Sequence, residues 1–282
     1  MSTTPPPNLP SKEIKKPEDE LAGTEATLFE HLTELRRRLI YSMVAIAVFF
    51  IIAFFFSGWI YNFLLQPYVT AAGGAQNVDL IYTAPQEFFF TKLNLALFGA
   101  VFMAFPVIAS QIYAFVAPGL YKTERGAFWP YLIATPIFFL LGAAVMFYGV
   151  LPLALRFFLS MQQAGGPDLV SIKMQPRVSE YLSLIMTLVL AFGICFQLPI
   201  VLTLLARIGI VDTKKLKSWR KYAFVAVLAI AAFLTPPDPI SQLGLALPML
   251  LLYELSILAV RWVERSRAQR EAAEKEASQD SV

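Results

Sequence analysis

Glu34 stands in the run His31-Leu32-Thr33-Glu34-Leu35-Arg36-Arg37-Arg38, a lone carboxylate beside three consecutive arginines. It precedes Arg38 by four residues, the favourable order for an ion pair within one helix. The same carboxylate also offers a planar acceptor to a visiting guanidinium. Glu124, in Phe115-Val116-Ala117-Pro118-Gly119-Leu120-Tyr121-Lys122-Thr123-Glu124-Arg125, is a second such group. Thr123 there can cap a following helix, with Glu124 in the first turn where an acid favours the helix dipole. Both acids lie in neighbourhoods otherwise held by cations, so together they could grip two adjacent arginines.

Other polar residues interrupt apolar runs. Gln197, in Phe192-Gly193-Ile194-Cys195-Phe196-Gln197-Leu198-Pro199, needs hydrogen-bond partners if it lies in lipid. The carbonyl freed by Pro199, a neighbouring helix, or a polar group on a partner helix could each supply one. Glu254 resembles an intramembrane ionisable site, either neutral or paired with a donor. Asp238, in Thr235-Pro236-Pro237-Asp238-Pro239, reads as a helix N-cap followed by proline at the first helical position. Lys92 is expected to snorkel to an interface. Covalent chemistry has little to work with. The single His31 and single Cys195 exclude an internal disulfide and a His-rich metal cluster, and no cofactor is expected. Ser183 and Ser241 sit in no Gly-x-Ser-x-Gly turn, which weighs against an intramembrane hydrolase.

The elements that must position these groups are set by lipid. The chain has 282 residues, 57% of them apolar, with a mean hydropathy of +0.60, 24 Phe and 11 Tyr. Such a composition overfills an aqueous core and suits a lipid-facing surface. A hydrocarbon core about 30 Å thick takes roughly 20 residues of helix. Six runs qualify as spans, at about 39–61, 88–116, 128–151, 181–208, 222–234 and 240–260. The fifth is short, about 20 Å at ~1.5 Å per residue.

Basic residues choose the orientation. Lys12, Lys15, Lys16, Arg36 to Arg38, Lys122, Arg125, Arg207, the Lys214 to Lys221 cluster and the bases after Val260 fall on one side. The first loop on the other side, Gly58 to Glu87, has no Lys or Arg. Both termini are therefore expected to be cytoplasmic. Leu28, Leu32, Leu35 and Leu39 share one helix face, predicting an amphipathic helix in the headgroup plane ahead of the first span. Residues 1–26 and 263–282 read as polar tails, flexible by composition, around a membrane domain at 27–262. Pro106, Pro136, Pro199 and Pro248 are expected to kink their helices and curve the bundle. The fold class expected is an all-α, six-span, kinked membrane bundle. A net charge of +3 says little about partners, and no nucleic-acid partner is expected.

The segments His31 to Leu39, Phe115 to Tyr121 with Glu124, and Leu234-Thr235-Pro236-Pro237-Asp238 resemble, in this order, the TatC family of the twin-arginine protein translocase. The resemblance runs over about Thr27 to Trp262. It implies a non-enzymatic receptor in the cytoplasmic membrane of a bacterium. Glu34 and Glu124 would contact the paired arginines of a signal peptide, with Phe115 and Lys122 close by. It further implies that Gln197, Phe233 and Leu234 meet the single transmembrane helices of TatA and TatB partners, and that Pro67 and Asp238 shape the outer side. A homo-oligomeric receptor complex driven by the proton-motive force is implied too. Where the family often has Glu, this chain has Gln197, which removes a protonation event at that position. A secondary transporter of a small solute is the competing reading. It fits less well, because spans one to three show no repeat in spans four to six.

Overall fold

The computed structural model describes residues 17–116, 129–166, 170–235 and 238–279. Among the described residues the regular structure is nine α-helices with no β-strand. Helix α1 spans Pro17–Phe55 and α2 spans Ser57–Ala71. The expected first span, ending at Tyr61, instead ends at Phe55. Ser57 and Gly58, weak helix formers, follow the break at Phe56. Pro17 opens α1, with Glu18, Asp19 and Glu20 in its first turn, an arrangement that suits a helix N-terminus. The lead-in expected as a separate interfacial helix is one uninterrupted helix with the first span.

Helix α3 spans Glu87–Val116 and lies along α1, the most extensive helix pair in the fold. Helix α4, Trp129–Ala144, runs into a widened turn at Val145–Val150 and then α5, Leu151–Ser160. The widened turn lies just before Pro152, which lacks the N–H that a regular helix would donate there. This third rod therefore extends past the expected end at Leu151. Helix α6, Val178–Cys195, and α7, Leu198–Arg207, form a fourth rod broken at Phe196 and Gln197. Pro199 sits in the first turn of α7, so the carbonyl four residues before it receives no helical bond. Of the four prolines expected to kink helices, only Pro199 coincides with an interruption. Helices α3, α4 and α9 continue through Pro106, Pro136 and Pro248.

Helix α8 spans Thr213–Leu234 and α9 spans Pro239–Gln279. Residues 263–279 of the C-terminal segment expected to be a flexible tail are the end of α9. Its run of Ala, Glu, Gln, Lys and Arg is strongly helix-forming. Among the described residues five rods are long and apolar enough to cross a bilayer: His31–Phe55, Glu87–Phe115, Trp129–Ser160, Val178–Arg207 and Ser241–Gln269. Helix α8 has the length but is basic in its first half.

The main core is built by α2 to α6, α8 and the membrane part of α9, around Tyr68, Met146, Phe192 and Leu245. Close approach of α4 and α6 depends on two glycines. A Cβ at Gly142 would lie 2.6 Å from the Phe192 carbonyl oxygen, and one at Gly193 would lie 2.5 Å from the Phe139 ring. Small residues allow two helix backbones to approach, as lipid-embedded packing requires. By contrast, most of α1 and the apolar half of α8 present Val44, Val48, Ile51, Val225 and Phe233 outward. That much exposed apolar surface is what a lipid solvent predicts.

Candidate functional site

At the end of the bundle where α3 finishes, α1 and α3 meet through two rings. Phe115 stacks on His31 with ring centroids 4.3 Å apart and planes inclined by 25°. His31 lies one helical turn before Glu34. Glu34 itself is engaged by Arg38, whose Nε donates to Oε1 at 3.0 Å and whose Nη2 donates to the same oxygen. The intrahelical pair predicted by the four-residue spacing is thus formed. Both contacts fall on Oε1, and Glu34 is only partly shielded. Arg36 and Arg37 project outward from the same turns. Lys122 and Glu124 lie outside the described residues. Helix α3 ends at Val116, one residue after Phe115.

Deeper in the bundle, Gln197 occupies the break between α6 and α7 and is buried. Its Nε2 donates to the Thr135 carbonyl of α4 at 3.0 Å and to the Gly193 carbonyl at 3.4 Å. Its partners are therefore the neighbouring helix and the turn before it, not the carbonyl freed by Pro199. Oε1 is buried without a hydrogen-bond partner. A buried acceptor left unpaired costs about 1–3 kcal/mol, so this oxygen is a strained feature of the isolated chain. The Thr135 hydroxyl sits 2.8 Å from the Tyr131 carbonyl and 3.1 Å from the Tyr113 hydroxyl, extending the polar seam to α3.

The other sequence candidates are dispersed. Phe233 is 89% exposed at the end of α8, whereas Leu234 is half-buried against the main core. Pro67 is buried inside α2. Asp238 caps α9, its Oδ1 accepting from the Ser241 N–H at 2.7 Å, as its spacing predicted. Its Oδ2 is buried and unpaired. Glu254 is not sealed in the core. It is half-exposed and pairs with Arg220 of α8 at 2.6 Å. Lys92 lies over the Phe88 ring at 5.1 Å.

Two carboxylates organise the structure without having been singled out. Glu87, the first residue of α3, accepts from the Thr83 N–H at 2.9 Å and from the Ser179 hydroxyl at 2.5 Å, binding the first loop to the start of α6. At the opposite end Glu264 of α9 accepts from the Thr213 N–H at 2.7 Å and from its hydroxyl. Their partners are 92 and 51 residues away in the chain. The only local signal was an acid at a helix start in one case and a charge in a basic tail in the other.

A sequence model of one family, described as Sec-independent protein translocase protein (TatC), matches residues 30–248. The chain belongs to the TatC family. A TatC protein of Magnetococcus marinus is 45% identical over 250 residues, covering 89% of each chain. The TatC of Aquifex aeolicus is 37% identical and covers 87% of this chain and 99% of its own, and that of Escherichia coli is 33% identical over 83% and 88%. A crystal structure of a twin arginine translocase receptor, TatC, superposes with a TM-score of 0.72 at 37% identity, covering 83% of this chain and 99% of that one. TatC proteins are bacterial membrane components of a protein translocase and not enzymes, and the chain is a member of that translocase core family.

Proposed function

We propose that this TatC protein binds twin-arginine signal peptides at its cytoplasmic face and nucleates the assembly of a translocase with TatA- and TatB-type single-span partners. The observation that carries the reading is the Phe115–His31 stack, which joins the two sequence segments containing Glu34 and Glu124. Two acids approached from different helices would each take one guanidinium, and neither lysine nor a single arginine could reproduce that geometry. Phe115 and Lys122 would border the site.

Glu34 reaches a visiting arginine either through Oε2 or by releasing Arg38. The pair is part-buried, but an ion pair at this spacing on a helix contributes little, because two long side chains must be held in one geometry. Arg38 therefore serves as an internal occupant that a peptide guanidinium can displace. Gln197, with an unpaired acceptor already buried, and the outward Phe233 with Leu234 support docking of partner helices along the bundle. Pro67 and Asp238 shape the opposite, outer end. Both termini lie on the cytoplasmic side in this reading, six helices cross the membrane, and several copies act together. Export of folded cargo would draw on the proton-motive force.

The test is site-specific crosslinking of a signal peptide to positions flanking Glu34 and Glu124, comparing an Arg-Arg peptide with its Lys-Lys counterpart. Strong labelling by the first and weak labelling by the second is expected. Equal labelling would remove the basis for the site. Glu124→Gln is expected to weaken peptide binding at least severalfold while the melting temperature in detergent stays unchanged.

A further inference from the structure

Helix α8 changes character along its length. Its apolar part, from Tyr222 to Leu234, covers about 20 Å at ~1.5 Å per residue, against a hydrocarbon core of about 30 Å. Such a mismatch draws the turns that precede it to the boundary between acyl chains and headgroups. Those turns carry Lys214, Lys215, Lys217, Arg220 and Lys221, every one of them exposed.

Part of this charge is already matched. Arg220 pairs with Glu254, and the Lys215 ammonium donates to the Ile210 carbonyl at 3.2 Å. The nearby acids are committed as well. Asp212 caps α8 by accepting from the Lys215 N–H at 2.6 Å, and Glu264 holds the Thr213 N–H and hydroxyl. Lys214, Lys217 and Lys221 have no carboxylate partner among the described residues.

These three lysines are spaced i, i+3 and i+7, so they share one face of the helix. That face lies to one side of the contact with α9. Leu216, Val227 and Ala231, about a quarter-turn round the helix, form its buried side, and the Leu216 carbonyl accepts from the Tyr253 hydroxyl at 2.8 Å. Below the lysines the exposed Phe224 and Val225 continue along the outside of the helix. Trp219 and Tyr222, both more than half exposed, flank the same level, where aromatic rings anchor membrane helices.

We propose that the face formed by Lys214, Lys217 and Lys221 is a binding site for the phosphate headgroup of an anionic phospholipid, with the lipid's acyl chains lying along Phe224 and Val225. Three ammonium groups at headgroup depth lack an internal anion, and a phosphate supplies charge-assisted hydrogen bonds to all of them. The apolar surface directly beneath selects a lipid over a free anion. The site is separate from the proposed peptide site and stands without it.

The full chain in detergent is titrated with phosphatidylglycerol or phosphatidylcholine, and retained lipid is counted by native mass spectrometry. The parent protein is expected to retain phosphatidylglycerol preferentially. Combined Lys214→Gln, Lys217→Gln and Lys221→Gln changes should cut that preference by about tenfold or more. Combined Lys12→Gln, Lys15→Gln and Lys16→Gln changes, which remove equal charge from the N-terminal tail, should leave it intact. An unchanged preference in the α8 variant, or an equal loss in the tail variant, overturns the proposal. Unchanged lipid retention together with lost binding of an acidic peptide would assign the face to a protein partner, and overturns it too.

Discussion

Two side chains show how a polar group can be satisfied in part and left open in part. Glu34 is held by Arg38 through one oxygen, and Gln197 uses its amide N–H groups while its carbonyl oxygen stays orphaned. For Glu34 the pair with Arg38 competes with a peptide arginine. Arg38→Gln is therefore expected to tighten binding of an Arg-Arg signal peptide severalfold in fluorescence anisotropy. Weaker binding would instead make Arg38 a residue that orients the carboxylate. For Gln197 the gain from its two hydrogen bonds, about 0.5–1.5 kcal/mol each, and the cost of the orphan, about 1–3 kcal/mol, are similar in size. Gln197→Met preserves volume and removes the orphan, so thermal stability should change by no more than about 1 kcal/mol. Co-purification of a TatA-type partner with that variant is expected to fall, and an unchanged yield would remove Gln197 from the proposed docking surface.

Among the helices, the α4–α6 seam is the contact least tolerant of added volume. Gly193→Ala places a methyl group 2.5 Å from the Phe139 ring, which is itself stacked on Phe105 at 3.7 Å. Overpacking of this kind costs about 1–3 kcal/mol, and a lowered melting temperature is the expected reading. Gly149, within the widened turn before α5, has nothing within 4 Å of its position. Gly149→Ala should leave stability within about 0.5 kcal/mol of the parent. The pair of variants separates steric closeness from any general intolerance of Cβ atoms in these helices. The same seam places Gln197 beside Thr135, so a Gly193 variant should also disturb the polar contact between α4 and α7.

Over the whole molecule, the two ends of the bundle are tied by different carboxylates. Glu87 joins the first loop to α6 at one end, beside Ile81, whose N–H donates to the Pro176 carbonyl and whose carbonyl accepts from the Val178 N–H. Glu264 joins α9 to the start of α8 at the other, where Arg267 also donates to the Arg207 carbonyl. Glu87→Ala should raise amide hydrogen exchange in residues 78–86 and at the start of α6, while exchange around His31 and Phe115 stays as in the parent. Faster exchange at both ends would show that the bundle loosens as one unit.

Much of this protein is written in local pattern. Apolar runs of bilayer length, the base-free first loop, the Glu34–Arg38 spacing and the Asp238-Pro239 cap are each decided within a few turns of chain, so the sequence by itself determined the helices, the class and the family. Breaks were less legible. The third rod is widened just before Pro152, whereas the α-helical pattern continues through Pro136, and a proline's position alone does not distinguish the two. Contacts across long separations were not legible at all. Only the tertiary structure decided that Glu254 meets Arg220, that Glu87 holds Ser179, that Phe115 lands on His31 and that Gln197 turns to Thr135. The physical reason is that each depends on which faces of separate helices the packing turns toward one another, and no spacing within a single helix carries that information.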